Sequence, residues 1–245
     1  YTQFSASLAS VESSGMAKKL VSPMLNFRKN QHRNAKLLAG SLARMGFHVP
    51  GISDIREALE FAADYCATRK LRLESLFSEI SGSGDDVEVM LLGRPYVVLS
   101  RTLNKGIPDI FARMGIRAWY QDMLPGETDI SGELTGLLEK VPWHFAANIL
   151  RAADRVCRKP GLYPVLVTAF KCAPDSFILE YFKQLMDLYD KPYLIIQIDE
   201  HDSNVGYETR IEAALRSFRN HFRKGRSVPA PDLSVLLPKV DRQID

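Results

Sequence analysis

The residues best suited to chemistry lie in one short run, Lys171-Cys172-Ala173-Pro174-Asp175-Ser176-Phe177. Proline suits the first turn of a helix, where its missing N–H removes no hydrogen bond. Cys172 therefore stands just before a predicted helix N-terminus, next to the Lys171 ammonium. The helix dipole and that ammonium both favour thiolate over thiol, and thiolate is the form that binds metal or attacks an electrophile. The plain alternative is a small packed residue at a tight strand–helix junction. A nucleophilic cysteine needs a base, and His201 at the end of the next strand would supply one if the two strands are neighbours. No orienting or oxyanion partner is identifiable for such a hydrolase. A cluster ligand needs two or three further thiolates. The other two cysteines, Cys66 on the apolar stripe of a predicted helix and Cys157 near a helix end, read as packed residues.

Other polar residues gather at the ends of predicted strands. Asp199-Glu200-His201-Asp202 is followed by Gly206 and Thr209-Arg210-Ile211-Glu212. Consecutive ionisable side chains of this kind can bind a hard divalent cation, or form a solvated loop whose Asp202 or Asn204 caps the next helix. Arg210 is placed to pair with Glu200 or Asp199. Gly93-Arg94-Pro95-Tyr96 is neither a dinucleotide fingerprint nor a phosphate loop with its lysine. Arg94 either faces solvent from a turn or holds a carboxylate or phosphate. Asp122-Met123-Leu124-Pro125 reads as a cap or turn.

These positions follow from the elements that must carry them. Ala35–Met45 and the stripe Ile55, Leu59, Ala62, Ala63, Cys66 have helical spacing, with Asp54 and Glu57 at the start of the second helix. Ser81-Gly82-Ser83-Gly84-Asp85-Asp86 is a flexible polar joint. Beyond it, strands at Val87–Leu92, Ile116–Tyr120, Val165–Phe170 and Tyr193–Ile198 alternate with helices at Ile107–Met114, His144–Cys157, Pro174–Tyr189 and Tyr207–Phe222. That alternation predicts an α/β fold, a flavodoxin- or Rossmann-like parallel sheet preceded by a mainly helical region. Ligands gather at the carboxyl ends of such strands. The boundaries are a helical region at 1–84, part of an incomplete upstream domain; a parallel α/β domain at 85–222; and a tail or linker at 223–245.

The chain of 245 residues is about 1.6 typical domains long. With 46% hydrophobic and 25% charged residues it has the balance of a globular protein, which excludes disorder and low complexity for most of the chain. The net charge of +3 is too small to indicate a nucleic-acid partner. Residues 1–52 carry seven Lys/Arg against Glu12, read as a solvated helical face because no aromatic interleaving accompanies them. No apolar run reaches the roughly 18 residues of a membrane span, and no signal-peptide pattern opens the chain. Three scattered cysteines argue against a disulfide framework and indicate a reducing, cytoplasmic setting. The chain begins at Tyr1, which reads as processing or as a piece cut from a longer polypeptide.

Several motifs fall in order: Ser22-Pro23-x-Leu25-Asn26-Phe27-Arg28, Gly93-Arg94-Pro95-Tyr96, Asn104 with Ile107-Pro108, Asp122-x-Leu124-Pro125 and Trp143. Phe170-x-Cys172-x-Pro174-Asp175-Ser176-Phe177-Ile178 and Ile198-Asp199-Glu200-His201 with Gly206 and Thr209-Arg210-Ile211-Glu212-Ala213 complete the series. Over about residues 20–220 the chain resembles the anaerobic CoA-substrate-specific enzyme activases, or 2-hydroxyacyl-CoA dehydratase activator-related proteins. The resemblance implies flavodoxin-like domains holding a 4Fe-4S iron–sulfur cluster through cysteines. It also implies electron transfer at low potential, fed by an ATP-hydrolysing activator module on the same or a separate chain, with an acyl-CoA substrate and ATP bound only on the partner modules. On that resemblance Cys172 is a metal ligand, and Lys171, Arg94, Asp199, Glu200, His201 and Arg210 contact the cofactor. The remaining ligands are expected N-terminal to Tyr1. The chain departs from the family pattern at Val97, Ala146, Ala147 and Ala173, which removes polar and flexible groups from the strand-end surface. The alternative function is a non-catalytic interaction domain that docks activator or substrate modules.

Overall fold

The computed structural model describes residues 11, 15, 20–27, 30–84, 86–126, 132–169, 173–198, 204–225 and 233–236. They divide into two compact units, Tyr1–Lys70 and Leu71–Asp245.

The first unit contains α1 (Gln31–Arg44) and most of α2 (Ile52–Ile80). Asn30 caps α1 by accepting the Arg33 N–H at 3.0 Å. One turn on, buried Asn34 accepts the Asn26 N–H and donates to the Asn26 carbonyl, both at 2.9 Å. That reciprocal pair fixes the segment entering the helix and explains Asn26 in the upstream motif. In α2 the Asp54 carboxylate reaches back to the Gly51 N–H at 3.2 Å, the return bond of a capping box.

The second unit is a four-stranded parallel sheet in the order β2-β1-β3-β4, formed by β1 (Glu88–Leu92), β2 (Ala118–Tyr120), β3 (Leu162–Thr168) and β4 (Leu194–Gln197). This is the flavodoxin-like strand order. Between the strands lie the short α3 (Pro95–Val98), α4 (Ile107–Arg113), α5 (Gly132–Lys140), α6 (His144–Cys157) and α7 (Ala173–Leu188), with α8 (Asn204–Arg223) after β4. Alternate strand residues serve two cores. Met90, Leu92, Leu162 and Leu166 pack with α5, α6 and α7, whereas Val89, Leu91, Val165, Val167 and Ile196 pack with α4 and α8. Strands buried on both faces read as continuous apolar runs, as these do. Leu233 and Leu236, in the 3-10 turn Leu233–Leu236, are buried in the first of these cores.

Pro164 lies inside central β3, an unusual place for a residue without an N–H. The Thr168 carbonyl accepts the Ile198 N–H, so even-numbered residues of β3 face β4. β4 pairs with β3 only from Val165 onward, so Pro164 faces a stretch with no partner strand and breaks no ladder.

Candidate functional site at the strand carboxyl ends

From β1 the chain crosses to β2 on one side of the sheet, while β3 and β4 lie on the other. The carboxyl ends of β1 and β3 thus flank the reversal point where open α/β sheets bind ligands. β1 leaves through Gly93. A Cβ there would sit 2.4 Å from the Val167 carbonyl oxygen and 2.6 Å from Val98 Cγ2, so glycine permits the close approach of β3. The Gly93 N–H donates to Gln121 Oε1 at 3.1 Å.

Arg94 comes next. Its guanidinium donates to the Tyr96 hydroxyl at 2.7 Å and forms an ion pair with Asp175, in the first turn of α7. The other Asp175 oxygen accepts the Thr168 hydroxyl at 2.9 Å. The side chains of Arg94 and Asp175 are 21% and 10% exposed. Burial works against the charged guanidinium, but the bonds to Tyr96 and Asp175 outweigh it and hold the Arg94 pKa above arginine's ordinary value. Arg94 therefore does hold a carboxylate, one from its own chain. These groups tie the ends of β1 and β3 to the start of α7. The void left among them and Ile149 and Ile178 is about 10 Å³, at the lower limit for one water molecule.

Lys171 and Cys172 directly precede Ala173, the first residue of α7. They lie outside the described residues, as do Asp199, Glu200 and His201, so the pairing of Cys172 with His201 and the acidic loop have no geometry here. Arg210 is described: it donates to the Ile195 carbonyl at 2.7 Å and covers a main-chain acceptor of edge strand β4. Its expected carboxylate partners are outside the described residues. Asp122 falls in the 3-10 turn Gln121–Met123, in keeping with a turn role. Cys157 is buried beside Met186 Sδ at 3.6 Å, and burial pushes its thiol pKa up, so it is a packed and unreactive residue. Cys66 corrects the packing expectation, because it is exposed together with Ala62 and Ala63. Helical periodicity marks an apolar face but does not say whether another element covers it. Among the described residues no group of three or more His, Cys, Asp or Glu is placed to hold a metal ion, and no helix is long and apolar enough to cross a membrane.

The sequence reading overlooked three features. Asp175 and Thr168 belonged to recognisable segments, but their joint contact with Arg94 needs the β1–β3 adjacency to be seen. An exposed aromatic rim is the second: Tyr96 and Phe145 meet edge-on at 6.3 Å between ring centroids, and Phe145 meets His144 at 5.8 Å. Trp143 packs on Phe177 at 5.5 Å. Asn148 then bridges His144 Nε2 and Arg151 Nη1, each at 3.0 Å, along one face of α6. The third lies at the opposite end of the sheet. Buried Lys191 donates to the Lys159 carbonyl at 2.8 Å and lies 4.6 Å from the centre of the Tyr163 ring. The Tyr163 hydroxyl is 2.9 Å from His221 Nδ1. Burial holds the Lys191 pKa down to about 8 and pushes that of Tyr163 up to about 12. Lys191 and His221 also border an open cleft of about 710 Å³.

No curated protein and no solved structure matches the chain. Residues 3–124 match the family described as CoA enzyme activase uncharacterised domain, a span that includes the Arg94 turn and ends before β3 and Cys172. Over those residues, just under half of the chain, the sequence is similar to that CoA enzyme activase family.

Proposed function

We propose that this chain is a component of a CoA-substrate activase or 2-hydroxyacyl-CoA dehydratase-like system, in which Cys172 gives one thiolate to an iron–sulfur cluster completed by ligands outside the chain. The supporting observation is that α7 begins at Ala173, the residue that follows Cys172 in the sequence. The helix dipole there favours thiolate. Asp175, in the first turn, would oppose a second negative charge, but Arg94 compensates it. The residues present do not fit a complete cluster. The chain has three cysteines, of which Cys157 is a buried thiol, and a 4Fe-4S centre takes four thiolates. No electron-transfer step is therefore assigned to this chain's own residues. ATP hydrolysis belongs to an activator module, and the setting is the cytoplasm.

A second reading, a non-catalytic domain that docks activator or substrate modules, draws on the filled crevice between β1 and β3, where Arg94, Asp175 and Thr168 leave no room for a cofactor. Iron and acid-labile sulfide separate the two, measured on the protein purified without oxygen together with its partners. The first reading expects both to be present and to fall when Cys172→Ser is introduced. Iron unchanged by that substitution, with complex formation intact, supports the docking reading instead.

A further inference from the structure

We propose that the exposed face of α6, together with Tyr96, is a binding site for an adenine nucleotide, with the purine stacked on the aromatic rim and a phosphate held by Arg151. The rings of Tyr96, Phe145 and His144 form a continuous series, linked at 6.3 and 5.8 Å, beside the carboxyl end of β1. Tyr96 and Phe145 are 43% and 42% exposed, although rings of this size bury most of their surface when they serve a core. Flat, accessible rings are sequence-tolerant platforms for bases, because every base has a π-face.

The polar half of the site continues from the same rings. His144, Asn148 and Arg151 follow one another at helical spacing and are joined by two 3.0 Å contacts. The segment Trp143–Arg151 contains no carboxylate, and among the described residues Arg151 has no ion-pair partner. Its guanidinium bonds the neutral Asn148 side chain, which leaves further N–H donors for a phosphate in the forked geometry that suits that anion. From His144 to Arg151 the helix advances about 10 Å, comparable with the reach from a purine to the phosphates of its own nucleotide. Rings at one end and, at the other, a guanidinium without a counter-charge among the described residues match one ligand chemistry, a purine joined to phosphate.

The nucleotide end of coenzyme A and a free adenine nucleotide share that chemistry. The site deepens the reading above and rests on it for coenzyme A as the natural source. Titration calorimetry with coenzyme A, ADP and pantetheine tests it, using wild type, Phe145→Ala and Arg151→Gln. The expected result is saturable binding of coenzyme A and no binding of pantetheine, with each substitution weakening binding about tenfold while the melting temperature holds. Binding of ADP as well assigns recognition to the shared purine and phosphate; binding of coenzyme A without ADP assigns it to coenzyme A's own phosphate pattern. Both outcomes support the site. ADP binding without coenzyme A keeps the nucleotide site and removes coenzyme A as its source; the site is overturned if neither binds, if pantetheine binds equally well, or if Arg151→Gln leaves affinity unchanged. Arg151→Gln keeps the question open to measurement should Phe145→Ala fail to fold. Iron content does not enter these titrations, so this site and the cluster ligand fail or stand separately.

Discussion

Asp175→Ala breaks the tie between β1, β3 and α7 at its centre. The substitution leaves the Arg94 guanidinium, whose side chain is 21% exposed, without its carboxylate, and removes the acceptor of the Thr168 hydroxyl. Breaking a buried pair from one side costs about 3–5 kcal/mol, because the remaining charge is desolvated and has lost its counter-charge in that pair. Arg94 keeps its bond to Tyr96 and some contact with water, so the lower end applies, about 3 kcal/mol. In a unit of this size that corresponds to a fall in Tm of roughly 6–12 °C. Urea unfolding followed by the fluorescence of buried Trp119 reports the second unit directly. Arg94→Leu should cost a similar amount. The double variant should cost about 2 kcal/mol less than the two single losses together, because it leaves no orphaned charge. Asp175→Ala within about 0.5 kcal/mol of wild type, the range of ordinary surface changes, would refute the reasoning. So would strict additivity in the cycle.

Further outcomes follow from other parts of the molecule. Gly93→Ala forces a Cβ against the Val167 carbonyl at 2.4 Å, in a strand that cannot retreat. It should cost about 3 kcal/mol or more by chemical denaturation, from overpacking added to backbone strain, and a neutral result would contradict the packing of β1 on β3. Burial holds Lys191 at about 8, whereas unfolded lysine titrates near 10.5. The unfolded chain then binds more protons between those values, so stability should rise with pH across the window, by up to about 3 kcal/mol. Lys191→Met should lack that rise, as compared in urea melts of both proteins at pH 7 and 9.5; a difference between the two that does not change with pH counts against it. Ellman titration of the native chain should modify exposed Cys66 and spare buried Cys157, which reacts only after denaturation. Modification of Cys157 in the native protein would mean that its burial is misplaced.

The parallel sheet was legible because each strand is an apolar run closed by turn residues and followed by a helix with period 3.6. The helix His144–Cys157 was read residue for residue. Pro164 hid the first three residues of β3, since a proline argues against a central strand unless the neighbour is known to start later. α5 escaped notice because Gly132 and Gly136 weaken its helical signal, although Leu134, Leu137 and Leu138 are buried in the core. The site was legible only in part. The start of α7 was legible from Pro174, and a turn at Gly93-Arg94 was legible from its place at a strand end. That Arg94 would find Asp175, 81 residues away, depends on which strands are neighbours, and local sequence does not encode that. The stripe containing Cys66 shows the same limit from the other side: periodicity gave the face, and the covering partner was an assumption.

The role of Cys172 is tested most directly by its own protection. Protein purified without oxygen together with its partners is treated with iodoacetamide before and after iron is removed by oxidation and chelation, and labelling is mapped to individual cysteines by mass spectrometry. Thiolate bound to iron is shielded, so Cys172 should remain unlabelled until the iron is removed and then react fastest of the three, with Cys66 labelled throughout. Full labelling of Cys172 while the iron is still bound would contradict its assignment as a ligand.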